Sequence, residues 1–302
     1  MMLVACIKCG SPSPTVLDTR GEYYDMITEM LDSVAPTLPE PKGTDISYLA
    51  YDATKGELPQ WELVDNFDAV IVTGSGLYKD KPRIRLFGSC FGHQIICHAL
   101  FKASEEEDFP HGGRLSPPNP NPVVSRNPKG WEIGVHAINL SAKFMARFGA
   151  VSSNPVAPSQ MRLRLIHRDH VNPHSLPDDF VNVGRSDLCE TQGVYKRGRV
   201  LTFQGHPEFD DAIIADFGRP ILGDRAMDTL RTGPDDSQYA ARVILEFLRE
   251  EVAEEEVTEG GAADGVPGGG VNEKVADSGL KGEVTEDNAM EKLISLFEKL
   301  AL

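Results

Sequence analysis

Apolar residues recur along the first 250 positions in two rhythms. Short strand-like runs occupy 3–7, 46–51, 69–72, 84–87, 180–184, 193–195 and 199–203. Several are continuous, as in Ala69-Val70-Ile71-Val72, which suits strands covered on both faces of a parallel sheet. Between them, apolar positions at helical spacing predict helices over about 22–34, 91–101, 141–149 and 236–252. In the last of these, Val243, Ile244, Phe247 and Leu248 form a core-facing stripe. Strands alternating with helices predict an α/β fold with helices on both faces of an open, mostly parallel sheet.

The rhythm fails in three places. Residues 102–128 carry an acidic run and Pro117, Pro118, Pro120, Pro122 and Pro128, which predicts an irregular insertion within a domain spanning 1–250. From 251 to 285, glycines and acidic residues dominate. Such a segment cannot bury enough apolar surface to offset its ordering entropy, and a disordered linker is expected. Residues 286–302 then regain Leu293, Ile294, Phe297 and Leu300 on one face of a short amphipathic helix. The third anomaly is the connection 73–83. A parallel crossover normally needs a dozen or more residues, including a helix, and these eleven contain Pro82 and two glycines.

The net charge of -16 is uneven, since 251–302 hold 13 acidic and 4 basic residues and so contribute -9 of it. With no basic stripe, a nucleic-acid partner is not expected. No apolar run reaches the length of a membrane span, and the start lacks the features of a secretory leader, so the expected location is cytoplasmic with nuclear access. The five cysteines, Cys6, Cys9, Cys90, Cys97 and Cys189, are odd in number and irregularly spaced, which argues against a disulfide framework.

The chemistry concentrates at Gly88-Ser89-Cys90-Phe91-Gly92, where a strand-like run ends and a helical pattern begins. This is the cysteine form of a nucleophile elbow. A thiol there lies at the positive end of a helix dipole, beside backbone N–H groups that have no intrahelical partner, and both favour thiolate. The N–H of Phe91 points to where an oxyanion would develop, and a second donor is expected from the Gly74-Ser75-Gly76 turn.

A thiol nucleophile needs a positioned base. His206 follows the run 199–203, at the carboxyl edge of a predicted strand, and Glu208 stands two residues on. In extended backbone those two side chains share a side, and Pro207 between them restricts His206 to such a conformation. Glu208 is then placed to orient the imidazole as the third member of a triad does. A further cluster, His167-Arg168-Asp169-His170-Val171, offers too few ligands for a metal site, so no metal or cofactor is expected.

Together these motifs resemble the class I, or triad, glutamine amidotransferase family, and most closely its small stand-alone fungal and plant members. Cys90 matches the nucleophile motif, and His206 and Glu208 match the His-Pro-Glu segment. Gly74 and Ser75 match the oxyanion loop, and Gln94 a residue associated with glutamine binding. Gly130-Trp131-Glu132-Ile133-Gly134 and His167–Val171 match further segments of these small members. The resemblance covers about residues 1–250. It implies a flavodoxin-like sheet and hydrolysis of a γ-glutamyl amide through a thioester, with glutamine or another γ-glutamyl small molecule as substrate. It also implies that any synthase or other ammonia acceptor is a separate protein. Two alternatives stand beside glutamine hydrolysis: a γ-glutamyl peptidase acting on glutathione-type conjugates, and a binding protein that has lost catalysis.

Overall fold

The computed structural model describes residues 1–38, 45–73, 84–102, 122–152 and 158–250. The expected linker and terminal helix lie outside the described residues, as do 74–83 and 103–121. Strand β1 (Met2–Lys8) leads through helices α1 (Pro14–Arg20) and α2 (Tyr23–Val34) to β2 (Ile46–Asp52), β3 (Ala69–Val72), β4 (Arg85–Ser89) and helix α3 (Phe91–Lys102). Next come β5 (Val124–Arg126), β6 (Glu132–Leu140), α4 (Ala142–Phe148), β7 (Gln160–His167) and β8 (Asp169–Val171). The chain then runs through β9 (Val181–Asn182), β10 (Gly184–Arg185), β11 (Val194–Lys196) and β12 (Val200–Phe203) to α5 (Asp211–Leu222) and α6 (Ser237–Leu248).

The main sheet has seven strands in the order β2-β1-β3-β4-β12-β11-β9. Its first five strands are parallel, and β11 and β9 extend it antiparallel. With β12 as the fifth strand, the parallel part has the 2-1-3-4-5 order of the flavodoxin-like fold. The continuous apolar runs behave as expected of doubly covered strands. Val4, Cys6, Ala69, Ile71, Phe87, Leu201 and Phe203 face a core shared with α2, α4 and α6. Their neighbours Ala5, Ile7, Val70, Val72, Leu86 and Val200 face a second core with Ile95, Ile96 and Phe101 of α3. The α/β expectation holds.

The strands flanking the short 73–83 connection are direct neighbours, in register from Ala69 opposite Arg85 to Val72 opposite Gly88. A displaced fourth strand, one way to accommodate so short a link, is not what forms. Within the range read as an irregular insertion, Val124–Arg126 make a strand paired with β8. The run at 180–184 divides into β9, on the main sheet, and β10, which joins β6 and β7 in a three-stranded antiparallel sheet. That small sheet was not foreseen, nor were α1 and α5. Its long β6–β7 pairing, from Glu132 opposite His167 to Asn139 opposite Gln160, carries the segment 164–167 beside the carboxyl edge of β4 and β12.

Candidate active site

Cys90 is the one non-glycine residue with positive φ among the described residues, at 50°. Left-handed backbone costs an ordinary residue roughly 1–2 kcal/mol, so its surroundings must hold it there. They do so at both ends. The Cys90 N–H donates to the Phe203 carbonyl at 2.8 Å, and the Cys90 carbonyl accepts from Gln94 N–H at 3.1 Å, starting the helix. Gly88 permits the tight passage, because a Cβ there would stand 2.7 Å from the Gly92 backbone carbonyl. The thiol at this turn receives Gln204 Nε2 at 3.6 Å and lies 3.9 Å from the Ile166 carbonyl.

His206 leaves the end of β12 and is pinned to the small sheet by its N–H, which donates to the Arg164 carbonyl at 2.8 Å. Gly205 must be small here, since a Cβ would stand 2.8 Å from Leu163 Cβ. His206 Nδ1 meets Glu208 Oε1 at 2.8 Å, which leaves Nε2 as the nitrogen for the thiol. Ser89 Oγ donates to the same carboxylate oxygen at 3.1 Å and approaches the Gly205 carbonyl at 3.2 Å. The Glu208 side chain is 1% exposed, and Phe209 stacks on the imidazole with ring centroids 3.9 Å apart. Burial pushes the imidazole pKa down, but the charges of Cys90 and Glu208 and their hydrogen bonds outweigh it and raise the pKa to about 10.

Two cavities meet at Cys90, with Trp131 and Ile166 forming part of both walls. One, of about 360 Å³, is lined by Tyr23, Phe91, Phe209, Phe217 and Ile221, together with His206 and Glu208. The other, of about 250 Å³, is the more polar of the two and carries Gln94, Arg126, Arg168 and Asp169.

Behind the polar cavity lies a buried network. His167 Nδ1 donates to the Asp169 carbonyl at 2.9 Å, and its Nε2 lies 3.1 Å from Glu132 Oε2, off the line of a straight hydrogen bond. Glu132 also accepts from Ser186 Oγ at 2.6 Å and Gln192 Nε2 at 2.8 Å. Burial raises the Glu132 pKa, but the close approach of the His167 imidazole, the hydrogen bond from Ser186 and the charges of His167 and His136 reverse this and lower it. Potential ligand atoms of Glu132, His167 and Cys189 converge within 4.8 Å, but the carboxylate is already engaged by protein donors.

The structure thus gathers Cys90, His206, Glu208, Phe91 and Gln94 around these cavities. Gln94 does not stand open: its Nε2 donates to the Asp169 carbonyl at 2.9 Å and to Gln204 Oε1 at 3.1 Å. Gly74 and Ser75 lie outside the described residues, although Thr73 before them reaches the apolar cavity. Sequence reasoning passed over Ser89 and Gln204, which adjoin the motifs and could have been found there. It also missed Tyr23, Phe217 and Ile221, whose helical spacing carries no mark of a cavity wall.

The family model for glutamine amidotransferase class-I matches residues 77–213, a span containing Cys90, His206 and Glu208. A glutamine amidotransferase-like protein of Schizosaccharomyces pombe is 26% identical over 82% of this chain and 98% of its own length. The glutamine amidotransferase-like protein chry6 of Gibberella zeae is 28% identical over 76% of this chain and 88% of its own. Gamma-glutamyl peptidase 2 of Arabidopsis thaliana is 23% identical over 64% and 78%.

Proposed function

We propose, from the premise that the chain carries a class I glutamine amidotransferase domain, that it hydrolyses a γ-glutamyl amide with Cys90, His206 and Glu208 as its triad. The observation that carries the reading is the left-handed Cys90 at a strand–helix elbow, sharing a cavity with an imidazole whose Nδ1 is tied to a buried carboxylate.

The Cys90 thiolate attacks the amide carbonyl carbon, and the oxyanion meets the N–H of Phe91, whose position at the head of α3 leaves it without an intrahelical acceptor. His206 holds a proton on Nε2, stabilised through Nδ1 by Glu208, and gives it to the departing nitrogen as the C–N bond breaks. Water then attacks the thioester carbon, its proton returns to His206, and the C–S bond breaks to free glutamate and the thiolate. The polar cavity suits the rest of the glutamyl group, with guanidinium groups of Arg126 and Arg168 for the α-carboxylate and Asp169 for the α-ammonium. Five free cysteines suit a reducing compartment, and the proposal sets the reaction in the cytoplasm. Among the described residues no helix is long and apolar enough to cross a membrane.

The test is release of glutamate from glutamine or γ-glutamyl amides by the full chain. Cys90→Ala and His206→Ala should each lower the rate by about 10³-fold or more. Retention of most of the rate in either variant would set the reading aside.

A further inference from the structure

The nucleophile sits between two cavities, one strongly apolar and one richer in charged and polar side chains, and only the apolar one includes His206 and Glu208 in its wall. In amide cleavage the nitrogen must depart toward the group that protonates it. The leaving amine therefore exits on the side of His206, into the apolar cavity, while the glutamyl carbon chain occupies the other side. Ammonia, close in size to water, fills about 30 Å³. The cavity on its exit side measures about 360 Å³, within the range of pockets that enclose small organic ligands.

Its wall is aromatic and continuous with the reacting groups. Phe209 lies flat on the imidazole, and Phe217 stacks on Phe209 with centroids 5.9 Å apart. Tyr23 leans on both phenylalanines, at 5.9 Å and 6.4 Å. Trp131 and Ile221, 42% and 36% exposed, edge the same cavity. Ammonia has no apolar surface to bury against such a wall, whereas an aromatic or branched aliphatic group does.

We infer that the apolar cavity is a leaving-group pocket, and that the preferred substrates are N-substituted γ-glutamyl amides whose amine carries an aromatic or bulky aliphatic group, rather than glutamine. This rests on the triad reading and narrows its substrate class. Chemically, the γ-glutamyl C–N bond breaks, the nitrogen takes the His206 proton, and the products are glutamate and a free apolar amine or amino acid, with one water consumed.

The experiment compares kcat/KM of the full chain for γ-glutamyl-phenylalanine, γ-glutamylglycine and glutamine. It is repeated for Phe217→Ser and, against a folding failure, for Ile221→Lys at the cavity's exposed edge. The expected result is a preference of tenfold or more for γ-glutamyl-phenylalanine over both other substrates, with at least a fivefold collapse of that ratio in whichever variant folds. Equal or better turnover of glutamine or γ-glutamylglycine, or a ratio untouched by the variants, overturns the pocket and leaves the triad reading standing. No turnover of any of the three, with no covalent labelling of Cys90 by a glutamine-like electrophile, overturns both.

Discussion

At the residue scale, the site combines a strained backbone with a tuned imidazole. Cys90 at φ 50° pays a conformational cost that glycine would not, whereas alanine would share it. Cys90→Gly should therefore be about 1 kcal/mol more stable than Cys90→Ala in urea unfolding, both being inactive; equal stabilities would mean that the elbow is unstrained. The imidazole gives a pH prediction. Its pKa is raised from 6.5 to about 10 in the folded chain, so its protonated form contributes stability that is complete below 6.5 and lost as pH rises through about 10. Activity should hold into the alkaline range and fall as His206 loses its proton, because the leaving nitrogen then has no donor. Glu208→Gln removes one of the two charges that raise the pKa. The alkaline limb of kcat/KM should move to lower pH and the plateau should drop by about 10³–10⁴-fold, as expected when an imidazole loses its orienting carboxylate. An unmoved limb would contradict the assignment of Glu208. Cys90, His206 and Glu208 were legible in the sequence because each sits in a short motif whose residue types are dictated by chemistry. Ser89, which donates to Glu208, adjoins the nucleophile motif, but its partner lies 119 residues away, so its role shows only once the strands are paired.

At the scale of elements, the helices with an apolar stripe were readable, and those punctuated by other demands were not. Helix α2 at Tyr23–Val34 and α3 at Phe91–Lys102 fall close to expectation. Helix α5 contains Gly218 and Pro220, which read as breakers, and its start is set by Asp210, whose side chain accepts from the Ile213 N–H. Strand β6 alternates poorly because it is buried at both ends and holds a charge at its first position, Glu132. The Glu132 carboxylate links the start of β6 to His167 at the end of β7 and to Ser186 and Gln192. His167 bridges Glu132 to the Asp169 carbonyl, the same oxygen that receives Gln94 Nε2. Glu132 is therefore a positioning residue for the polar cavity. Glu132→Gln removes the charge from a buried carboxylate that accepts hydrogen bonds from Ser186 and Gln192, and should cost about 1–3 kcal/mol. It should also raise KM for a γ-glutamyl substrate more than it lowers kcat. The Glu132 pKa is lowered in the folded chain, so its contribution is present above the ordinary carboxylate value of 4.5 and lost as pH falls. The stability gap between wild type and variant should accordingly shrink in acid. A KM that does not move would reduce the network to a fold anchor.

At the scale of the whole molecule, the sheet order explains why distant stretches meet. β4 and β12 are parallel neighbours, so Cys90 and His206, each just past a carboxyl end, emerge at the same edge. Cys9 after β1 and Thr73 after β3 line the same cavity from the same edge, which is where open parallel sheets bind ligands. The parallel core was legible because strands covered on both faces leave continuous apolar runs. The antiparallel sheet that brings Ile166 and Trp131 over the thiol was not, because its register is set by pairing and not by a local pattern. The aromatic wall was equally hidden, since Tyr23 and Phe217 belong to helices that approach the site only after packing. The central claim, a reactive thiolate served by this imidazole at the sheet edge, is tested most directly by mass spectrometry of the full chain after incubation with a diazoketone analogue of glutamine. The account predicts a single adduct on the Cys90 sulfur, formed in wild type and slowed at least a hundredfold in His206→Ala. An unmodified Cys90, or an adduct that forms as fast without the imidazole, would contradict it.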